Sequence, residues 1–147
     1  MNRTGGWKKM LQSLGFCLKF SGIMALLAAM AWADALPSSG PVTGPQAQAL
    51  IGQLGEKLLV VDVRTPEEFA KGHIPNALLL PVSELEARLD EMPADRPILL
   101  ICRTGRRATR AFNVIVKARP KTALSGIWRL EATTEYKPDG SYLFQNN

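Results

Sequence analysis

The stretch Ile98-Leu99-Leu100-Ile101-Cys102-Arg103-Thr104-Gly105-Arg106-Arg107 joins an apolar run to a basic loop. Residues 98–101 are apolar at every position, so a strand here would be buried on both faces, as in a parallel sheet. After the loop, apolar residues recur at helical spacing and predict an amphipathic helix: Ala108, Ala111, Phe112 and Ile115. A strand, a loop and a helix in this order are typical of an α/β fold.

Strands and helices alternate on both sides of this stretch. Further short strands are predicted at residues 58–61, 78–80 and 122–124. Helices are predicted from Gln46 to a stop at Gly55, from a capping box at Thr65 and Glu68 to Gly72, and from a capping box at Ser83 and Glu86 to about Met92. This alternation predicts a parallel sheet flanked by helices on both faces. Ligands of such sheets bind at the carboxyl ends of the strands, where Cys102 lies.

Residues 1–33 have the order of a secretory signal peptide. Their only charges are basic, and the apolar run from Phe20 to Trp32 ends in the small-x-small sequence Ala31-Trp32-Ala33. The run has 13 residues, whereas a membrane-spanning helix needs about 20, so a cleaved signal is favoured over an uncleaved membrane anchor. We therefore expect export to the periplasm, a linker at residues 34–45, a domain at 46–130 and a C-terminal extension of unassigned role at 131–147. Within that extension, residues 137–140 (Lys-Pro-Asp-Gly) are typical of a turn between two short strands.

Cleavage after Ala33 would change both the charge and the cysteine content. The remaining 114 residues would carry 14 Lys and Arg against 13 Asp and Glu, a net charge of +1. This balance does not favour nucleic acid as a partner, and no stable membrane span would remain. Cys17 would leave with the signal, and a lone cysteine in an exported protein is a reactive thiol or an intermolecular partner. One histidine and one cysteine do not form a metal site, so no metal is expected.

Cys102 is the candidate nucleophile. A strand-to-helix loop can direct successive backbone N–H groups at one point, and the helix dipole adds to their field, which favours a thiolate. Gly105 permits a backbone angle that other residues rarely adopt. Four arginines are expected to surround the loop: Arg103, Arg106, Arg107 and Arg110. The alternative is a buried structural cysteine followed by solvated arginines.

Four motifs in one order resemble the rhodanese domains: Asp62-Val63-Arg64, Glu67-Glu68-Phe69, Gly72-His73-Ile74-Pro75-Asn76-Ala77, and the loop from Cys102 to Arg107. The resemblance covers about Gln46 to Leu130 and implies a rhodanese-like fold. It implies that Cys102 accepts sulfur and that Asp62 and Arg64 support the fold nearby, which agrees with their interpretation as a structural pair. It also implies that the persulfide is held by the loop residues Arg103, Thr104, Gly105, Arg106 and Arg107.

Loop length separates two chemistries within this broader fold. Four residues lie between Cys102 and Arg107, whereas cysteine phosphatases place five between their cysteine and arginine, so sulfur is favoured over phosphate. His73 is the single histidine of the chain and could act as a general base beside the cysteine. A structural role is favoured for it, because the loop amides can stabilise the thiolate without an imidazole.

The resemblance to rhodanese domains implies a thiosulfate sulfurtransferase that uses no cofactor. It would take sulfane sulfur from thiosulfate or a related small anion, carry it as a persulfide on Cys102, and pass it to cyanide or a thiol, including a protein thiol. The alternative is a relay or redox-sensing module in which the same cysteine hands sulfur to a partner or responds to oxidants with little turnover.

Overall fold

The structure, a computed structural model, describes residues 36–93, 95–119, 126–137 and 139–146. The chain divides into two units, Met1–Leu36 and Pro37–Asn147. The predicted signal peptide at residues 1–33 lies outside the described residues. In the described part of the chain, no helix is both long enough and apolar enough to cross a membrane.

Within the described residues, the central sheet consists of five parallel strands: β1 Gly40–Val42, β2 Leu59–Asp62, β3 Leu78–Leu79, β4 Ile98–Ile101 and β5 Ile127–Leu130. Their order across the sheet is β1-β5-β4-β2-β3. Every residue of β2 and β4 is buried. The apolar runs predicted this for residues 59–61 and 98–101, and β2 also includes the buried Asp62. The strand predicted at residues 122–124 falls outside the described residues, and the last strand of the sheet is β5.

Helices cover both faces of the sheet. They are α1 Gly44–Leu54, α2 Pro66–Ala70 and α3 Arg106–Ala118. In β4, Leu100 packs in the same cluster as Ala111 of α3, whereas Leu99 packs in the same cluster as Leu50 of α1. Alternate residues of a strand point to opposite faces, so both faces are buried and the predicted α/β architecture is confirmed.

The predicted linker at residues 34–45 is wrong from Gly40 onward. Residues Gly40–Val42 form β1, which pairs with β5 at the edge of the sheet, and α1 already begins at Gly44. Proline lacks the N–H of a ladder bond but is tolerated at an edge, so Pro41 does not exclude a strand there. A strand of three residues shows no periodicity in sequence, and only the pairing with β5 reveals it.

The helix predicted from Ser83 to about Met92 is also wrong. The chain forms consecutive turns there, followed by a single 3-10 turn at Leu89–Glu91. The backbone hydrogen bonds there span three residues, as in a 3-10 helix, except that the N–H of Arg88 donates to the carbonyl oxygen of Glu84 as well as to that of Leu85. Helices shorter than about 12 residues have little intrinsic stability, so tertiary packing determines the backbone of so short a segment.

The C-terminal extension forms an antiparallel hairpin of β6 Ala132–Tyr136 and β7 Tyr142–Asn146. The turn predicted at residues 137–140 joins these two strands. Strand β7 packs on the start of α1, where a Cβ atom on Gly44 would lie 2.8 Å from Cβ of Phe144. The hairpin is therefore packed on the same domain as the sheet.

Candidate active site

Cys102 directly follows β4 and is 1% exposed. Its Sγ atom accepts backbone N–H groups from Gly105 at 3.2 Å and from Ala108 at 3.4 Å. Ala108 lies in the first turn of α3, so the positive end of the helix dipole adds to the field at the sulfur. The predicted arrangement of inward amides is confirmed for these two groups, and it stabilises negative charge on sulfur.

Gly105 forms the turn between the cysteine and α3. Its φ angle is +84°, a conformation that disfavours other residues. A Cβ atom here would also lie 3.0 Å from the carbonyl oxygen of Leu130 at the end of β5. Glycine is therefore required both by the backbone angle, as predicted, and by the close approach of β5, which the sequence did not reveal.

The C-terminal hairpin holds the first residues of the loop. The Thr134 hydroxyl donates to the carbonyl oxygen of Cys102 at 3.3 Å. The backbone N–H of Thr134 donates to the carbonyl oxygen of Arg103 at 3.1 Å. Sequence reasoning missed Thr134, since one threonine in a predicted strand carries no signal of such a contact. The extension that was left without a role is thus in contact with the candidate nucleophile.

The arginines around the loop differ in their surroundings. Arg107 is ion-paired with Glu68 of α2, with N–O distances of 2.5 and 2.8 Å. The paired guanidinium lowers the pKa of Glu68 to about 2. Arg103, Arg106 and Arg110 are exposed and form no ion pair within the described ranges. Sequence reasoning assigned Glu68 only to a capping box and a family motif, and did not foresee its partner.

Asp62 and Arg64, predicted as a structural pair, form an ion pair in the structure. Asp62 is fully buried and Arg64 is 5% exposed, and the closest N–O distance between them is 2.6 Å. The guanidinium also donates to the carbonyl oxygen of Gly72 at 2.7 Å and lies 4.3 Å from the ring centroid of Tyr136. One buried cation therefore connects the end of β2, the turn after α2 and the hairpin.

His73 has the contacts of a structural residue. Its ring stacks on that of Phe69 with 3.8 Å between the centroids, and its Nδ1–H donates to the Phe69 carbonyl oxygen at 3.0 Å. These contacts fix the turn after α2. They support the structural interpretation over a role as general base.

Within the described part of the chain, two small clefts adjoin the Cys102 loop, beside a larger cleft that Arg106 also lines. One, of about 370 Å³, is lined by Val82, Thr104, Arg106, Arg107 and Arg110. The other, of about 290 Å³, is lined by Arg64, Glu68, Lys71, Arg103, Thr134 and Tyr136. Arg107 lines the first cleft and Glu68 lines the second, so the Glu68–Arg107 ion pair lies between the two clefts. Among the residues that can be described, no group of three or more His, Cys, Asp or Glu could hold a metal ion.

Residues 45–130 match the family model of the rhodanese-like domain. The chain belongs to the rhodanese-like domain family. The sequence resemblance is thereby confirmed, and the hairpin of this rhodanese-like domain lies beyond the matched residues.

Relatives of this rhodanese-like domain include sulfurtransferases. A sulfurtransferase of Allochromatium vinosum is 46% identical over 56 residues, which is 38% of this chain and 52% of that protein. The thiosulfate:glutathione sulfurtransferase of Homo sapiens is 34% identical over 84 residues, covering 48% of this chain and 71% of the human protein. A putative sulfur carrier protein of Bacillus subtilis is 39% identical over 62 residues, 42% of this chain and 34% of that protein. The chain thus spans about half, or less, of the length of the first relatives it matches.

Solved structures share the rhodanese-like fold. The human single-domain sulfurtransferase aligns with a TM-score of 0.50 at 24% identity, covering 64% of this chain and 88% of that one. A rhodanese-like domain from Anabaena aligns with a TM-score of 0.52 at 15% identity, covering 66% and 70% of the two chains. At these identities the likeness concerns the fold alone, and the predicted fold is confirmed.

Proposed function

We propose that this rhodanese-like domain is a thiosulfate sulfurtransferase that carries sulfane sulfur as a persulfide on Cys102. The observation that carries the proposal is the pair of N–H groups of Gly105 and Ala108 directed at Sγ. Both groups donate to Sγ and are placed to stabilise the negative charge that the sulfur carries when it acts as a nucleophile. The sulfurtransferase relatives from Allochromatium vinosum and Homo sapiens support the same chemistry.

In the first half-reaction, the Cys102 thiolate attacks the outer sulfur of thiosulfate. A bond forms between Sγ and that sulfur, the sulfur–sulfur bond of thiosulfate breaks, and sulfite leaves with the electron pair. The exposed guanidinium groups of Arg103 and Arg106 attract the dianion. The near-complete burial of Cys102 favours a donor that presents a single small atom.

In the second half-reaction, an acceptor attacks the outer sulfur of the persulfide. The bond to Sγ breaks, the cysteine thiolate returns, and cyanide becomes thiocyanate or a thiol becomes its own persulfide. The amides at Sγ are placed to stabilise the departing negative charge, as preorganised dipoles do in oxyanion holes. No redox partner or cofactor is needed in either half.

Intact mass spectrometry tests the proposal. After incubation with thiosulfate the protein should gain one sulfur atom on Cys102, and added cyanide should remove it as thiocyanate. In the full-length chain, which keeps both cysteines, Cys102→Ser should neither load nor turn over, whereas Cys17→Ser, the matched control, should behave like wild type. Absence of loading would refute sulfur transfer. Stable loading with negligible turnover on small acceptors would instead favour the relay function.

We further propose that the protein is exported to the periplasm with loss of residues 1–33. The basic, apolar and small-residue order of that segment supports the proposal. The mass of protein recovered from the periplasmic fraction should correspond to a chain beginning at Asp34. Recovery of the intact chain from the membrane fraction would show that the segment is an uncleaved anchor.

A further inference from the structure

The smaller cleft beside the Cys102 loop has a wall that the family match does not include. Thr134 and Tyr136 of β6 line it, and both lie beyond residues 45–130. Arg103, which directly follows the cysteine, lines the same cleft. A molecule bound there would therefore contact the Cys102 loop on one side and the C-terminal hairpin on the other.

The cleft carries uncompensated positive charge. Of its ionic side chains, Arg64 is paired with Asp62 and Glu68 with Arg107. Lys71 and Arg103 are exposed, and neither has an ion pair within 4 Å in the part of the chain that the structure describes. Two cations thus face a cleft whose carboxylate is already neutralised, which favours an anionic ligand.

Tyr136 contributes an aromatic wall. Its ring is held between the guanidinium of Arg64, at 4.3 Å, and Gly72, where a Cβ atom would lie 2.8 Å from the tyrosine Cβ. Its hydroxyl is buried and has no hydrogen-bond partner among the described residues. Because the hydroxyl is enclosed by protein, it is the ring of Tyr136 that forms the wall of the cleft.

We propose that this cleft is the acceptor subsite, and that it binds a small thiol carrying a carboxylate group. Lys71 and Arg103 attract the carboxylate, and Tyr136 packs against the carbon chain between carboxylate and thiol. The inference rests on the proposed sulfur transfer and names its second substrate. The acceptor thiolate attacks the outer sulfur of the persulfide, the bond to Sγ breaks, and the acceptor leaves as a persulfide while the Cys102 thiolate is restored.

This cleft is large enough for a small thiol that carries one carboxylate. At about 290 Å³ it lies near the lower end of small-molecule sites. The cleft on the other side of the Glu68–Arg107 pair is lined by Arg106 and Arg110, neither of which is ion-paired within the described ranges, and suits the compact dianion thiosulfate.

Two acceptors of similar size separate this inference from general sulfur transfer. With 3-mercaptopropionate, which carries a carboxylate, Lys71→Gln should raise KM by about fivefold, as expected for loss of one exposed charge contact. With neutral 2-mercaptoethanol, KM should stay unchanged, and so should the rate of loading from thiosulfate. Lys117→Gln, an exposed lysine at the far end of α3, is the matched control. An equal effect on both thiols, no effect on either, or slower loading from thiosulfate would overturn the subsite.

An independent measurement uses a ligand that can bind to the cleft but cannot react with the persulfide. The thioether 3-(methylthio)propionate cannot accept sulfur, and it should shift the backbone amide resonances of Lys71, Thr134 and Tyr136 in wild type and less so in Lys71→Gln. If this ligand binds while thiosulfate fails to load Cys102, sulfur transfer is wrong and the carboxylate site stands. If loading succeeds and these resonances do not move, the subsite is wrong and sulfur transfer stands.

Discussion

The carboxylate of Glu68 and the guanidinium of Arg107 are joined by two hydrogen bonds, although 39 residues separate them in the chain. Glu68 also accepts the backbone N–H of Thr65 at the start of α2. A single carboxylate therefore ties α2 to the first turn of α3. The pair reduces the positive charge at the loop and fixes the side chain of one of its arginines.

Protonation of Glu68 should cost stability at acid pH. Its folded pKa is about 2, below the ordinary value of 4.5, so its contribution is present above about pH 4.5 and is lost as the pH falls toward 2. Both side chains are about one third exposed, which limits the contribution to about 1 kcal/mol. In urea unfolding, the free energy of unfolding of Glu68→Gln should fall less than that of wild type as the pH is lowered from about 4.5 toward 2. Glu86→Gln, an exposed carboxylate without an ion pair in the described ranges, should keep the wild-type pH profile.

Gly105→Ala should destabilise the protein through two separate effects. The first is the positive φ angle, and the second is the approach of the new Cβ atom to the carbonyl oxygen of Leu130. Gly140→Ala is the matched control, because Gly140 has a φ of +82° and nothing within 4 Å of a built Cβ atom. Gly140→Ala should lower the free energy of unfolding by about 1–2 kcal/mol through the backbone angle alone. Gly105→Ala should lower it by more. Denaturant unfolding measures both changes. Equal losses would mean that the loop relaxes away from β5.

Asp62→Asn should be among the more damaging substitutions on the sheet. It leaves the guanidinium of Arg64 buried without its counter-ion, and breaking a buried ion pair costs about 3–5 kcal/mol. The free energy of unfolding should therefore fall by about 3–5 kcal/mol. Glu84→Gln, which breaks an exposed pair with Arg88, should leave it nearly unchanged. A small effect of Asp62→Asn would show that the buried pair is replaceable by a neutral hydrogen bond.

Thr134→Val should weaken the contact between the hairpin and the loop. The substitution preserves the shape of the side chain but removes the hydroxyl that donates to the carbonyl oxygen of Cys102. The free energy of unfolding should fall by about 1 kcal/mol, which is the net contribution of one hydrogen bond. Thr134→Ser keeps the hydroxyl and should show faster thiocyanate formation than Thr134→Val. Identical turnover in the two variants would mean that the hydroxyl does not position the loop.

Features that depend on neighbouring residues were predictable from the sequence. The burial of β4, the capping box of Thr65 and Glu68, and the need for glycine at position 105 each follow from a local pattern. Hydrophobic periodicity and short-range hydrogen bonds are properties of a few consecutive residues. They predicted the alternation of strands and helices and the candidate nucleophile at the end of β4.

By itself, then, the sequence determined the order β2, α2, β3, β4 and α3 and the amide-lined surroundings of Cys102. Only the tertiary structure decided that Glu68 pairs with Arg107, that Thr134 holds the loop, and that Gly40–Val42 joins the sheet edge. These contacts join residues far apart in the chain, and such pairs have no periodic signature. Their energy comes from a geometry that exists only after the sheet has assembled, so the local pattern of one sequence does not contain it.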